Sequence, residues 1–201
     1  NETVKLLLNQ PNIDVNKQQK EGWTALMLAC ENSSTESNNE IVKLLLNQSN
    51  IDVNKQNNKG DTALMMACRN SNTVIVKLLS NHANSNTETV KLLLNHPNID
   101  VNKQNKYGKT ALMMACRYSN KETVKLLLNQ PNIDINKQNK YGKTALMISC
   151  RYSNKETVKL LLNQPNIDIN KQNKYGKTAL MISCRYSNKE TVKLLLNQPN
   201  I

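Results

Sequence analysis

Apolar positions in this chain fall into two short blocks that alternate with polar stretches. One block is Ala145, Leu146, Met147, Ile148 and Cys150, and the next is Val158 with Leu160, Leu161 and Leu162. Each has the spacing of one face of an α-helix. Thr144 precedes the first block and predicts an N-cap, because its hydroxyl can accept an orphan N–H of the first turn. Ser153 and Asn154 predict a turn between the helices. Glu156 suits the positive end of the second helix dipole. Asn163-Gln164-Pro165-Asn166 stops that helix, since Pro cannot continue it and biases the preceding residue away from helix. Ile167 to Lys177, with Gly176 near its end, reads as extended and turn-like.

The same pattern recurs along the chain. Residues 155–188 repeat 121–154 at all 34 positions, and 87–120 differ only at Thr87, His96, Val101, Met114 and Ala115. The glycines mark one point of each unit: Gly22, Gly60, Gly108, Gly142 and Gly176, with spacings of 38, 48, 34 and 34. One helix pair cannot bury its apolar faces alone, but stacked pairs can. The fold expected is an all-α solenoid of helix-turn-helix units, five of them plus partial ends. Asn1 lies inside a second-helix pattern with no initiating Met, and Ile201 stops in mid-unit, so flanking sequence is expected.

Two intervals are long. Four extra residues within 32–39 predict a polar loop between paired helices. Between Gly60 and Gly108 the second-helix signal occurs twice, at 73–80 and at 87–94. Either that helix was duplicated or one unit lost its finger and first helix; both remain open. Helix-poor residues 81–86 predict two helical pieces and a local break in the stack.

These residues resemble the ankyrin repeat, whose pattern is a Gly, then Thr-Pro-Leu-His with Leu-Ala-Ala, then Val-Val-x-Leu-Leu-Leu, then Asp-Val-Asn. Gly108, Thr110, Leu112 and Ala115 match the first part, Val124 and Leu126 to Leu128 the second, and Asp134-Ile135-Asn136 the third. Ala replaces the family's Pro at 25, 63, 111, 145 and 179, and Met replaces its His at 27, 65, 113, 147 and 181. One extra residue between Leu162 and Asp168 lengthens the usual unit. The Lys/Asn-rich composition is similar to that of ankyrin arrays from large DNA viruses and protists.

Charge changes the picture only in the second half. Residues 1–86 hold seven Lys and one Arg against eight acids, a net of zero; residues 87–201 hold sixteen Lys and three Arg against seven acids, the whole excess of +12. The expected organisation is one continuous repeat domain, with a near-neutral sub-array at 1–86, an irregular unit at 57–104, and a basic, near-identical sub-array at 87–201. The chain also holds 34 Asn, 23 Lys and no Phe. AT-rich coding produces the same bias, so duplication alone can accumulate lysine. Scarce aromatics weigh against a compact enzyme-like interior. No apolar run reaches the ~20 residues that cross a bilayer, and no leader with a cleavage site opens the chain.

Catalytic chemistry is not expected. Cys30, Cys68, Cys116, Cys150 and Cys184 each lie eight residues after a repeat glycine, a packed position in the ankyrin frame. Equivalent Cα atoms in neighbouring ankyrin units stand roughly 10 Å apart, beyond the ~7 Å reach of a disulfide. No CxxC or Cys–His spacing suggests a metal site. Free thiols fit a reducing, intracellular location, cytoplasmic or nuclear. His82 and His96 read as surface polar residues, and the Asp at 14, 52, 100, 134 and 168 as a structural hydrogen-bonding residue. No catalytic residue, cofactor or metal is assigned. The segment Leu8 to Asn16 looks like those that ankyrin-directed asparaginyl hydroxylases accept. That makes Asn16, Asn54, Asn102, Asn136 and Asn170 candidate hydroxylation sites, against a favoured reading in which they hydrogen-bond across the finger turn.

The resemblance implies a binding surface on a concave side, formed by finger residues around each Gly and by the exposed end of each first helix. In the last three units these are Lys106, Tyr107, Lys109, Arg117, Tyr118; Lys140, Tyr141, Lys143, Arg151, Tyr152; and Lys174, Tyr175, Lys177, Arg185, Tyr186. All six tyrosines and three of the four arginines of the chain are among them. Tyr and Arg are enriched at interface hot spots. The function expected is a non-catalytic protein–protein interaction scaffold for an acidic protein segment, with no membrane role. The alternatives are a substrate-recruiting adaptor arm of a larger protein, such as a ubiquitin-ligase subunit, and, less favoured, a nucleic-acid-binding array. Oligomeric state is not readable.

Overall fold

The structure, a computed structural model, describes residues 2–32, 36–70, 85–118, 120–186 and 188–199. Among the described residues there are eleven helices and no strand. The first helices of successive units are α2 (Ala25–Glu31), α4 (Ala63–Asn70), α6 (Ala111–Arg117), α8 (Ala145–Arg151) and α10 (Ala179–Arg185). The second helices are α1 (Glu2–Leu8), α3 (Glu36–Leu46), α5 (Ser85–Leu94), α7 (Lys121–Leu128), α9 (Lys155–Leu162) and α11 (Lys189–Leu196). Each first helix packs on the second helix of its own unit. The first helices from α2 to α10 stack in one row and the second helices from α3 to α11 in another.

Capping chemistry sets these helices. The hydroxyls of Thr24, Thr62, Thr110, Thr144 and Thr178 accept the N–H of the methionine three residues on, at 3.3 to 3.4 Å. The second helices have their own caps. Asn120, Asn154 and Asn188 accept the N–H of Thr123, Thr157 and Thr191 at 2.9, 3.4 and 3.2 Å. Asn154 is thus a helix cap as well as part of the predicted turn, and Ser153 beside it takes a φ of 56° to reach that geometry. The second helices α7, α9 and α11 stop at the Leu before Asn-Gln-Pro, as the proline predicts. The core between the rows is aliphatic and sulfur-rich: Leu26, Met27, Leu64, Met65, Leu112, Met113, Leu146 and Met147 are fully buried. Unbranched Met fills the gaps that aromatics fill elsewhere.

Both long intervals differ from their expected form. The predicted loop at 32–39 is shorter, because α3 begins at Glu36 and runs for 11 residues. Across the second interval the stack continues: α4 packs directly on α6, and α5 packs on both α3 and α7. The expected break is absent among the described residues, because the extra chain lies between α4 and α5 and leaves both rows intact. Of the two helical pieces expected, that at 87–94 lies within α5; that at 73–80 lies outside the described residues.

Candidate partner-binding surface

From the second unit on, each finger is held by an asparagine and closed by a glycine; in the first, Gln19 takes the asparagine's place. The Asn139 carboxamide oxygen accepts the N–H of Tyr141 at 2.9 Å and of Lys143 at 3.0 Å, and Asn105 and Asn173 repeat this. Fingers then join side by side: Lys106 N–H donates to the Lys59 carbonyl, Lys140 to Tyr107 and Lys174 to Tyr141, at 3.0 to 3.1 Å. Gly142 sits at φ 73°, and a Cβ there would lie 2.6 Å from the Lys174 nitrogen. Only glycine combines that backbone with that approach. A half-buried lattice of side-chain amides runs beneath. Gln138 Nε2 donates to the Gly142 carbonyl of its own finger and to the Gln172 carbonyl of the next, at 2.5 and 2.8 Å, and Gln56 and Gln104 do the same.

On this frame the tyrosines and arginines alternate. The Arg117 guanidinium lies 5.7 Å from the Tyr118 ring centroid and 5.4 Å from that of Tyr152. Arg151 lies 5.9 Å from Tyr152 and 5.6 Å from Tyr186. The result is a ladder, Tyr118–Arg117–Tyr152–Arg151–Tyr186, that crosses three units on the exposed ends of α6, α8 and α10. Each rung contributes about 0.5–1 kcal/mol at an exposed site. Its larger effect is to hold the guanidinium groups in place.

The finger residues complete the surface. Tyr107, Tyr141 and Tyr175 are exposed, the last by 71%. Lys109 reaches back to within 5.6 Å of the Tyr107 ring. Burial, and after it the neighbouring Arg117, pulls the Lys109 ammonium below the usual lysine range, with Asp61 opposing. Burial and then Arg151 lower Lys143 in the same way. Lys106, Lys140 and Lys174 stand exposed at the finger tips, tied in through their backbone N–H groups. Tyr175 and Lys177 from a finger meet Arg151, Arg185 and Tyr186 from helix ends in one cavity, so finger and helix residues share a face there.

The first two units mix both signs of charge at the same positions. The position occupied by Arg117, Arg151 and Arg185 is Arg69 in the second unit and Glu31 in the first, and these two form an ion pair at 2.5 Å. Asp61 stands where Lys109 and Lys143 stand later; it is buried and accepts from Asn105 Nδ2 at 2.7 Å. The Glu31–Arg69 pairing depends on the stacking distance between units, which residue spacing alone does not give.

The remaining candidates stand away from this face. Asn16, Asn54, Asn102 and Asn136 join neighbouring units rather than cross their own finger. Each accepts the N–H of the next unit's Asp at 2.8 to 2.9 Å and donates to the carbonyl two residues before that Asp, at 2.5 to 2.6 Å. Asn170 has a polar contact as well. Asp14, Asp52, Asp100 and Asp134 accept the N–H of the Asn two residues on, a tight local turn. His96 Nδ1 accepts the Asn98 N–H at 3.3 Å, where Gln130 and Gln164 instead donate to a carbonyl four residues back. His96 also borders a cavity of about 470 Å³ with Asp100 and Pro131. His82 lies outside the described residues. Four of the cysteines are buried, but Cys184 is exposed, against the expectation of a uniformly buried set. Among the described residues no three His, Cys, Asp or Glu gather as a metal site, and no helix is long and apolar enough to cross a membrane.

Paired helices in two rows, joined by hydrogen-bonded fingers, define a helical repeat solenoid. The family model for ankyrin repeats matches three times, over residues 1–87, 82–139 and 131–201. The chain belongs to the ankyrin repeat family. It is also similar to the crystal structure of EF0377, an ankyrin repeat protein, at 28% identity and a TM-score of 0.82 over 98% of this chain and 91% of that one. No curated protein matches the sequence. Ankyrin repeats generally mediate protein–protein interaction, as non-catalytic scaffolds.

Proposed function

We propose that this chain is a non-catalytic scaffold whose C-terminal units bind an acidic segment of a protein partner. One observation carries the reading. The Arg117–Tyr152–Arg151–Tyr186 ladder is a row of ordered, exposed cations with no acid in it, while the same position in the first units is neutralised by the Glu31–Arg69 pair. Ordered arginines lose little further freedom on binding, and the positive field speeds encounter with an acidic chain and selects against basic ones. The tyrosines add large contact area with few rotatable bonds. Near-identical units also suit a repetitive polyanion, so nucleic acid is the competitor to be measured. An interaction screen with the wild type and with Lys106→Glu/Lys140→Glu/Lys174→Glu tests the surface. The acidic partners should disappear from the variant's list; an unchanged list sinks the proposal. Nucleic acid retained by the wild type at physiological salt, in place of acidic protein, would favour the competitor.

A further inference from the structure

Between α8 and α10 the binding face dips into a cavity of about 170 Å³. Lys143 and Arg151 line it from one unit, and Lys177 and Arg185 from the next. No carboxylate lines it, and none of these four cations forms an ion pair with a described acid. The like charges are close enough to be felt: after burial, Arg151 is the second cause that lowers Lys143. Arg151 is also pre-positioned, with a tyrosine ring on either side at 5.9 and 5.6 Å. Met147 and Ile182, both nearly fully buried, form an apolar floor, and the exposed Tyr175 and Tyr186 form the walls.

The chemistry of a matching ligand follows from this inventory. A carboxylate brings one charge and two oxygens to four cations. A phosphomonoester brings about −1.5 to −2 and three strong acceptor oxygens, and a guanidinium fork can take two of them at once. The apolar floor between the cations suits a flat ring carrying that ester. We propose that this cavity receives a phosphorylated tyrosine side chain of the protein partner; the inference rests on the protein-binding reading above. The corresponding frame of the first two units supplies Trp23, Glu31, Asp61 and Arg69 at the four cation positions, and its one cation is paired with Glu31, so it lacks the set that would hold the same group.

Isothermal titration calorimetry of the 201-residue chain with phenyl phosphate tests this, with inorganic phosphate and benzoate as comparators. Two variants remove equal charge: Arg151→Gln/Lys177→Gln in the cavity and Lys121→Gln/Lys189→Gln on the second helices, each checked for helical circular dichroism. Phenyl phosphate should bind about tenfold more tightly than benzoate or inorganic phosphate and lose about tenfold in the cavity variant only. Equal loss in both variants would show a diffuse charge effect and overturn the site. Inorganic phosphate binding as tightly as phenyl phosphate overturns the assignment of an aryl ester. An oligoglutamate peptide that binds through Arg151 and Lys177 while phenyl phosphate does not leaves the acidic-segment reading standing and overturns the phosphotyrosine one. A thymidine oligonucleotide that binds where both fail overturns both.

Discussion

The Asn102 carboxamide oxygen accepts the Asp134 N–H from the next unit at 2.8 Å, while its amide donates to the Asn132 carbonyl at 2.6 Å. One side chain therefore joins two units through two hydrogen bonds. Asn102→Ala should cost about 1–3 kcal/mol, since each bond contributes about 0.5–1.5 kcal/mol. A lowered urea midpoint with an unchanged native circular dichroism spectrum is the expected result. A midpoint equal to the wild type would mean the amide clasp contributes nothing.

Gly142 and Gly176 share a left-handed φ, 73° and 69°, but differ in surroundings. A Cβ on Gly142 meets the Lys174 nitrogen at 2.6 Å, and one on Gly176 meets nothing within 4 Å. Gly176→Ala should cost only the backbone term, about 1–2 kcal/mol. Gly142→Ala should cost more, because the finger contact must open as well. Thermal melting of the two variants compares them directly, and equal losses would contradict the close approach.

The thiols differ in the same way. Cys30, Cys68, Cys116 and Cys150 are buried and Cys184 is exposed. An aromatic disulfide reagent at neutral pH should titrate one thiol rapidly in the native state and five in denaturant. Cys184→Ser should abolish the rapid phase. Rapid reaction of more than one thiol would contradict the packing.

Burial pushes the Cys116 thiol up to about 12 and Cys150 to about 11, from an ordinary 9.0, and raises Cys30 and Cys68 further. A folded-state value above the unfolded one means that the stability is fully present below pH 9 and lost as pH rises past it, while the unfolded chain ionises first. Lys109 and Lys143 act oppositely, because burial lowers them in the fold. With four thiols against two lysines, the urea midpoint should fall between pH ~8 and ~10. A flat or rising midpoint would contradict the buried-thiol core.

Much of this fold was readable from residue spacing. The Thr caps, the Leu-rich second helices and the Asn-Gln-Pro stop are local features, and local chemistry determines them. What was not readable depends on distances between units. Asn154 looked like a turn residue because its capping partner, Thr157, competes with a Ser-Asn turn signal in sequence. Glu36–Asn39 looked like loop because the polar first turn of α3 lacks an apolar position. The continuity from α4 to α6 could not be seen because stacking, not sequence adjacency, decides it. At the candidate surface, residue types and positions were legible from the repeat frame. The Glu31–Arg69 pair, the shared rings of the ladder and the cavity floor of Met147 and Ile182 each need two units in register.

On the proposed function, ordered arginines on the C-terminal units select an acidic protein segment. Fluorescence anisotropy of a labelled oligoglutamate peptide, at low and physiological salt, measures it. Arg117→Glu/Arg151→Glu is compared with Lys121→Glu/Lys189→Glu, which changes net charge equally away from the ladder. Wild type and the lysine variant should bind within about twofold of each other, and the arginine variant should lose at least about tenfold. Equal loss in both variants, or full binding by the arginine variant, would contradict the account.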